Sequence, residues 1–96
     1  MIPVQPCVYM LASRPQGTLY IGVTSALKQR VWQHREHVVA GFTARYGVGR
    51  LVWYEVHVEM RAAIEREKAL KEWQRAWKVR LIEEMNPGWV DLYDSL

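Results

Sequence analysis

The sequence predicts an α+β fold, a small antiparallel three-stranded β-sheet flanked by helices in the order β-β-α-β-α-α. Three observations lead there. Two short runs rich in strand formers, Cys7 to Ala12 and Thr18 to Val23, enclose a segment holding Pro and Gly. A third run, Leu51 to Val58, alternates as a half-buried strand does. The long stretch Glu59 to Met85 carries neither Gly nor Pro and is composed of helix formers.

The elements follow in order. Ser13 to Gly17 (SRPQG) supplies the turn that makes the first two strands a hairpin. Thr24 or Ser25 is placed to cap a helix starting near Ala26. That helix carries Leu27, Val31 and Val38 on one side and should fade before Gly41. Gly41 to Gly49 (GFTARYGVG) reads as a loop. The stretch from Glu59 to Met85 is long for so small a chain, so a bend dividing it into two helices is expected, with nothing in the sequence to locate it. Asn86-Pro87-Gly88 ends it.

Bulk properties narrow the class. A length of 96 residues fits one domain spanning 1–96, with a core over about 5–85 and an NPGWVDL tail over 86–96. Half the residues are hydrophobic, and five Trp and five Tyr supply ample core material. The single Cys7 excludes an internal disulfide and fits a reducing cytoplasm. No apolar stretch approaches the roughly 20 residues of a membrane span. Met1 to Pro6 lacks a basic leader region, so no secretory signal is expected. The net charge of +3 mildly favours an anionic partner.

Some polar residues stand where apolar ones belong. At about 100° per residue, Met60, Ala63, Ile64 and Leu70 share one side of the long helical stretch, and Glu67 falls within that stripe. A carboxylate there needs a partner. Either it sits at the stripe's edge and pairs with Lys71 or Arg30, or it holds a metal ion. On the first helix Arg30, His34 and His37 lie near the apolar stripe, as a solvated edge or a phosphate-binding cluster would. His34 and His37 lack the further ligand pair that zinc requires. Tyr9 shares a strand face with Cys7 and Leu11, and Tyr20 shares one with Gly22, which leaves space above its strand. Both tyrosines could equally be core edges with wet hydroxyls. Lys68, Lys71, Arg75 and Lys78 form a basic stripe beside Glu67, suited to phosphate contacts or merely to solvent. Trp53, Trp73, Trp77 and Trp89 suit core packing better than base stacking.

Taken together these residues resemble the GIY-YIG nuclease superfamily. The family's Gly-Ile-Tyr corresponds to Cys7-Val8-Tyr9, and its Tyr-Ile-Gly stands intact as Tyr20-Ile21-Gly22. Its catalytic arginine matches Arg30 in LKQRVWQHR, the histidine four residues on matches His34, and its metal-binding glutamate matches Glu67 in REKALKEW. The small stand-alone branch is most similar, through YIGVT (20–24), GFTARYG (41–47), REKALKEW (66–73) and NPGWVDL (86–92). Two departures stand out. Cys7 replaces the first glycine, and Asn86 sits in a helix-ending NPG turn, so it is not assigned to the asparagine that some relatives carry after the glutamate.

The resemblance implies an endonuclease that hydrolyses DNA with Mg²⁺ or Mn²⁺ bound at Glu67, in repair or recombination. Arg30 would hold the scissile phosphate. Tyr9 or Tyr20 would position or deprotonate the attacking water, and His34 would assist by hydrogen bonding. A tyrosine with its usual pKa near 10 is a poor base at neutral pH, so Arg30 and the ion would have to lower it. Two other classes remain open: an inactive DNA-binding module of the same fold, and an interaction protein using exposed tryptophans.

Overall fold

The computed structural model describes residues 5–38 and 41–96. Most of the leader segment Met1 to Pro6, and the point where the first helical pattern was expected to fade before Gly41, lie outside them. Strands β1 (Cys7–Ala12), β2 (Leu19–Thr24) and β3 (Arg50–Val56) form an antiparallel sheet in the order β2-β1-β3. The central position of β1 explains its composition. A strand covered on both faces reads as a continuous apolar run, and all six residues of CVYMLA are buried.

The two faces carry separate cores. Val8, Met10, Ala12 and Ile21 pack with Val52, Trp53, Ala63, Leu70, Ile82 and Trp89. Those last residues bring in α3 (Met60–Glu72) and α4 (Arg75–Met85). On the opposite face Tyr9, Leu11 and Leu51 pack with Val31 of α1 (Leu27–Arg35) and with Val48. A 3₁₀ turn at Leu92–Ser95 closes the same face with Leu92 and Tyr93. The result is the expected α+β architecture, with helices on both sides of the sheet.

The structure refines the sequence reading at four places. The hairpin connection runs through Thr18, so β2 starts at Leu19. α1 stops at Arg35, and His37 beyond it adopts a left-handed φ of 55°, which leaves Val38 61% exposed instead of on the apolar stripe. The segment read as a glycine loop contains a short helix, α2 (Phe42–Tyr46). Gly41 and Gly47, with φ of 112° and 64°, bracket it, and Gly47 ends it in the left-handed conformation that favours glycine. The expected bend in the long helical stretch falls at Trp73 and Gln74, both extended, with ψ of 149° and 150°. The break lets Trp73 fold back against the core.

Asn86 ends α4 and is buried. Its amide donates to the carbonyls of Val52 (3.1 Å) and Val90 (2.8 Å), and its carbonyl accepts from the Val90 amide (3.0 Å). It therefore ties the tail to β3. Asn86→Ala leaves three backbone groups without that partner, the buried Val52 carbonyl among them, and is expected to lower stability by about 2 kcal/mol, measured by urea unfolding.

Candidate active site

The site is organised around a close crossing of β1 and β2. Tyr9 stands opposite Gly22 in the hairpin register, and its ring lies across that residue. A Cβ built on Gly22 would sit 2.4 Å from the Tyr9 hydroxyl and 2.5 Å from Cζ. The space above Gly22 is thus filled by a phenol from the neighbouring strand. Because β2 is an outer strand of the sheet, a ring lying across it carries the Tyr9 hydroxyl toward that edge.

From α1, His34 reaches the same point. Its Nε2 lies 3.1 Å from the Tyr9 hydroxyl, and its Nδ1 lies 2.8 Å from Thr43 Oγ1. All three residues are buried. Tyr20 closes the cluster, with its ring centroid 5.2 Å from His34 and 6.3 Å from Tyr9. Arg30, one turn before His34, is half-buried and donates to Gln33 Oε1 at 3.1 Å. Glu67 arrives from α3, on the opposite face of the sheet. Its side chain is 15% exposed, and its ion pair among the described residues is with Lys71, at 3.4 Å. Of the two partners weighed for Glu67, Lys71 makes the contact.

The electrostatics tie these groups together. Burial, then the neighbouring Tyr20, pushes the Tyr9 phenol up to about 12; Arg30 opposes this as donor and charge, and Glu67 adds to it. The expectation that Arg30 would depress a tyrosine is therefore corrected for Tyr9, since desolvation outweighs the guanidinium. His34 is held below its ordinary value by burial and then by Arg30, so it is neutral at neutral pH. A protonated phenol facing a neutral imidazole donates to Nε2, which leaves Nδ1–H to donate to the Thr43 hydroxyl.

A raised phenol makes stability depend on alkaline pH. Between the unfolded value of 10 and the folded value of about 12, the folded chain binds more protons, so stability falls as pH rises through that window. The loss is on the order of 2 kcal/mol. Tyr9→Phe is expected to flatten this limb in denaturation curves taken across that range. A limb unchanged by the substitution would place the shift elsewhere.

The remaining cations do not form one stripe. The break at Trp73 puts Lys68 and Lys71 on α3 and Arg75 and Lys78 on α4. Arg75 donates to the carbonyls of Gln16 and Gly17 at 2.8 and 2.7 Å, so it holds the β1–β2 connection. Lys68 is exposed, and Lys78 lines a hollow with Lys71 and Tyr20. His37 lies away from the cluster, beside Arg35, Arg50 and Asp91. Trp53 and Trp89 are core residues, whereas Trp77 is exposed and packs edge-on against Trp73. Among the described residues no three of His, Cys, Asp and Glu gather around a common point.

Two residues of the site were not singled out from the sequence. Thr43, 3% exposed, is the partner of His34, and Phe42 stacks on Tyr20 with centroids 6.1 Å apart. Both sit in the GFT segment, whose match to the family pattern was their signal.

A family model for the GIY-YIG catalytic domain matches residues 5–80. A UPF0213 protein of Bacillus pumilus (strain SAFR-032) is 33% identical over 69 residues, covering 72% of this chain and 70% of that protein. The solution NMR structure of a UPF0213 protein from Bacillus halodurans superposes with a TM-score of 0.56 at 24% identity, covering 91% of this chain and 92% of that one, which is a likeness of fold.

Proposed function

The chain belongs to the GIY-YIG nuclease superfamily, and from that premise we propose that it is a metal-dependent endonuclease hydrolysing DNA phosphodiester bonds. The observation that carries the reading is the buried bond of 3.1 Å between the Tyr9 hydroxyl and His34 Nε2, with Arg30 on the same helix as His34 and both Arg30 and Glu67 near enough to bear on that phenol.

Mg²⁺ or Mn²⁺ fits the donor set. Such ions take oxygen ligands and keep several waters, so a single carboxylate whose ion-pair partner among the described residues is one half-exposed ammonium is a suitable anchor. Glu67 would hold the ion, which supplies charge stabilisation at the phosphate when bound. Arg30 would clamp a non-bridging phosphate oxygen with its fork of donors. Tyr9, protonated at neutral pH, accepts a proton from the attacking water only by passing its own to His34 Nε2. The hydroxide so formed attacks phosphorus, and the leaving oxygen is protonated from solvent. Thr43 accepts from His34 Nδ1–H and keeps the imidazole in the tautomer that presents Nε2. Tyr20 packs over the imidazole and narrows its motion. Lys68, Lys71 and Lys78 are the candidate contacts to flanking phosphates; Arg75 serves the loop. Repair or recombination is the cellular setting we propose for this chemistry.

The relay sets a pH dependence. Protonated His34 cannot accept from Tyr9, so cleavage is expected to fall as pH drops below 6.5 toward the depressed imidazole value, and to hold at neutral pH. The test of function is nicking of supercoiled or branched DNA with Mg²⁺ or Mn²⁺, against EDTA and against Glu67→Ala. Equal behaviour of the wild type and Glu67→Ala in a clean preparation defeats the enzyme reading. Salt-sensitive binding without cleavage would put the inactive binding module in its place.

A further inference from the structure

The catalytic cluster continues outward into an aromatic ledge. Tyr20 packs against His34 on one side and against Phe42 on the other, at an interplanar angle of 30°. Phe42 in turn contacts Tyr46, with centroids 4.7 Å apart. Phe42 and Tyr46 are 45% and 49% exposed, although a side chain whose only task was to cover Tyr20 would turn its own face inward. Beside the ledge lies a shallow hollow of about 320 Å³, lined by Leu19, Tyr20, Ile21, Phe42, Lys71 and Lys78. Its two charged residues are both cations, and Lys71 also touches Glu67. The hollow and the catalytic cluster therefore share Tyr20 and are linked through Lys71.

We propose that this ledge and its two lysines form a stacking subsite for an unpaired nucleotide next to the scissile phosphate. An exposed ring flanked by ammonium groups matches the two faces of a nucleotide, a π surface and an anionic backbone. Paired bases in a duplex have their faces covered by their neighbours, so a ring at the side of the strand meets a base only when that base is unpaired or turned out. The favoured substrate is then a single-stranded segment, or a junction presenting one, with its base on Phe42 and its flanking phosphates on Lys71 and Lys78. The inference rests on the proposed action on DNA and narrows it to a strand state.

The probes are a fluorescently labelled single-stranded oligonucleotide and the duplex of the same sequence, titrated with the full chain in EDTA and read by anisotropy. The wild type binds the single strand more tightly. Phe42→Ala weakens that binding by about 10-fold and leaves duplex binding unchanged, while Phe42→Tyr restores it. Lys78→Glu weakens single-strand binding and flattens its salt dependence. Unchanged circular dichroism shows that Phe42→Ala folds. Equal single-strand affinity of wild type and Phe42→Ala, equal loss on both probes, or no single-strand binding by the wild type overturns the subsite. Metal-dependent cleavage in any of those cases leaves the nuclease reading standing. Stacking-dependent binding without cleavage sinks the nuclease reading and keeps the subsite.

Discussion

Glu67→Gln is expected to reduce cleavage by about 10³-fold while leaving the fold intact. The substitution preserves shape and removes one negative charge, so the side chain still fills its place between Ala63 and Leu70. The carboxylate's partner, Lys71, is half-exposed, and such a pair contributes about 1 kcal/mol or less. Thermal unfolding in EDTA should therefore barely move. The catalytic loss is large because an amide oxygen is a weak ligand for a hard divalent ion, and the charge stabilisation supplied at the phosphate is worth several kcal/mol, about 4 of which make the factor of 10³. A second readout needs no metal or substrate. The Glu67 charge helps to hold the Tyr9 phenol up, so its removal should move the alkaline titration of that phenol downward in an ultraviolet difference titration. A phenol titration untouched by the substitution would mean that the two groups are not neighbours, and the proposed site would lose its anchor. Full activity with a shifted titration would leave the neighbourhood intact and remove the metal from the mechanism.

The candidate site was legible where residue type and periodicity both spoke. Glu67 interrupts an apolar stripe that packs on the sheet, and burial of Ala63 and Leu70 on either side of it gives that anomaly a physical location. Tyr9 and Leu11 share a face because side chains alternate along a strand, and that face proved to be the one that α1 covers. Less legible was anything decided by contacts distant in the chain. α2 is five residues long, too short to show a period, and its flanking glycines read equally well as loop formers. Its place is set by Thr43 meeting His34, nine positions earlier. The helix break carries no Gly or Pro; extended backbone at Trp73 and Gln74 is stabilised by packing the indole on the core, a tertiary effect with no local mark. Arg75 looked like one more solvated cation on a wheel. Only the folded chain brings the carbonyls of Gln16 and Gly17 to it.

Gly22→Ala is expected to abolish most of the activity through Tyr9 and to destabilise the chain as well. The role of Gly22 follows from register. A five-residue turn between Ala12 and Thr18 would have set Tyr9 opposite Ile21; the longer connection sets it opposite Gly22. With that pairing the added methyl would fall 2.4 Å from the Tyr9 hydroxyl, 2.5 Å from Cζ and 2.9 Å from Cε1. The obstacle is a ring with few rotamers in a packed core, so it cannot give way as the tip of a flexible side chain would. Either the ring or strand β2 must shift by about 1 Å, at a cost of roughly 1–3 kcal/mol. A displacement of that size breaks the 3.1 Å bond to His34 Nε2 and moves the phenol relative to Arg30 and Glu67. Misplacement of a reacting group on this scale lowers rates by about 10²-fold. Tyr9→Phe in the Gly22→Ala background separates the two consequences. Removing the hydroxyl relieves the shortest contact but not the one to Cζ, so stability should return in part, with a favourable coupling in the double-mutant cycle. Activity should not return, because the oxygen proposed to relay the proton is gone. Additive stability effects of the two substitutions would show that the methyl is accommodated without touching the ring. The glycine of the YIG motif would then matter for some reason other than the passage of Tyr9 over it.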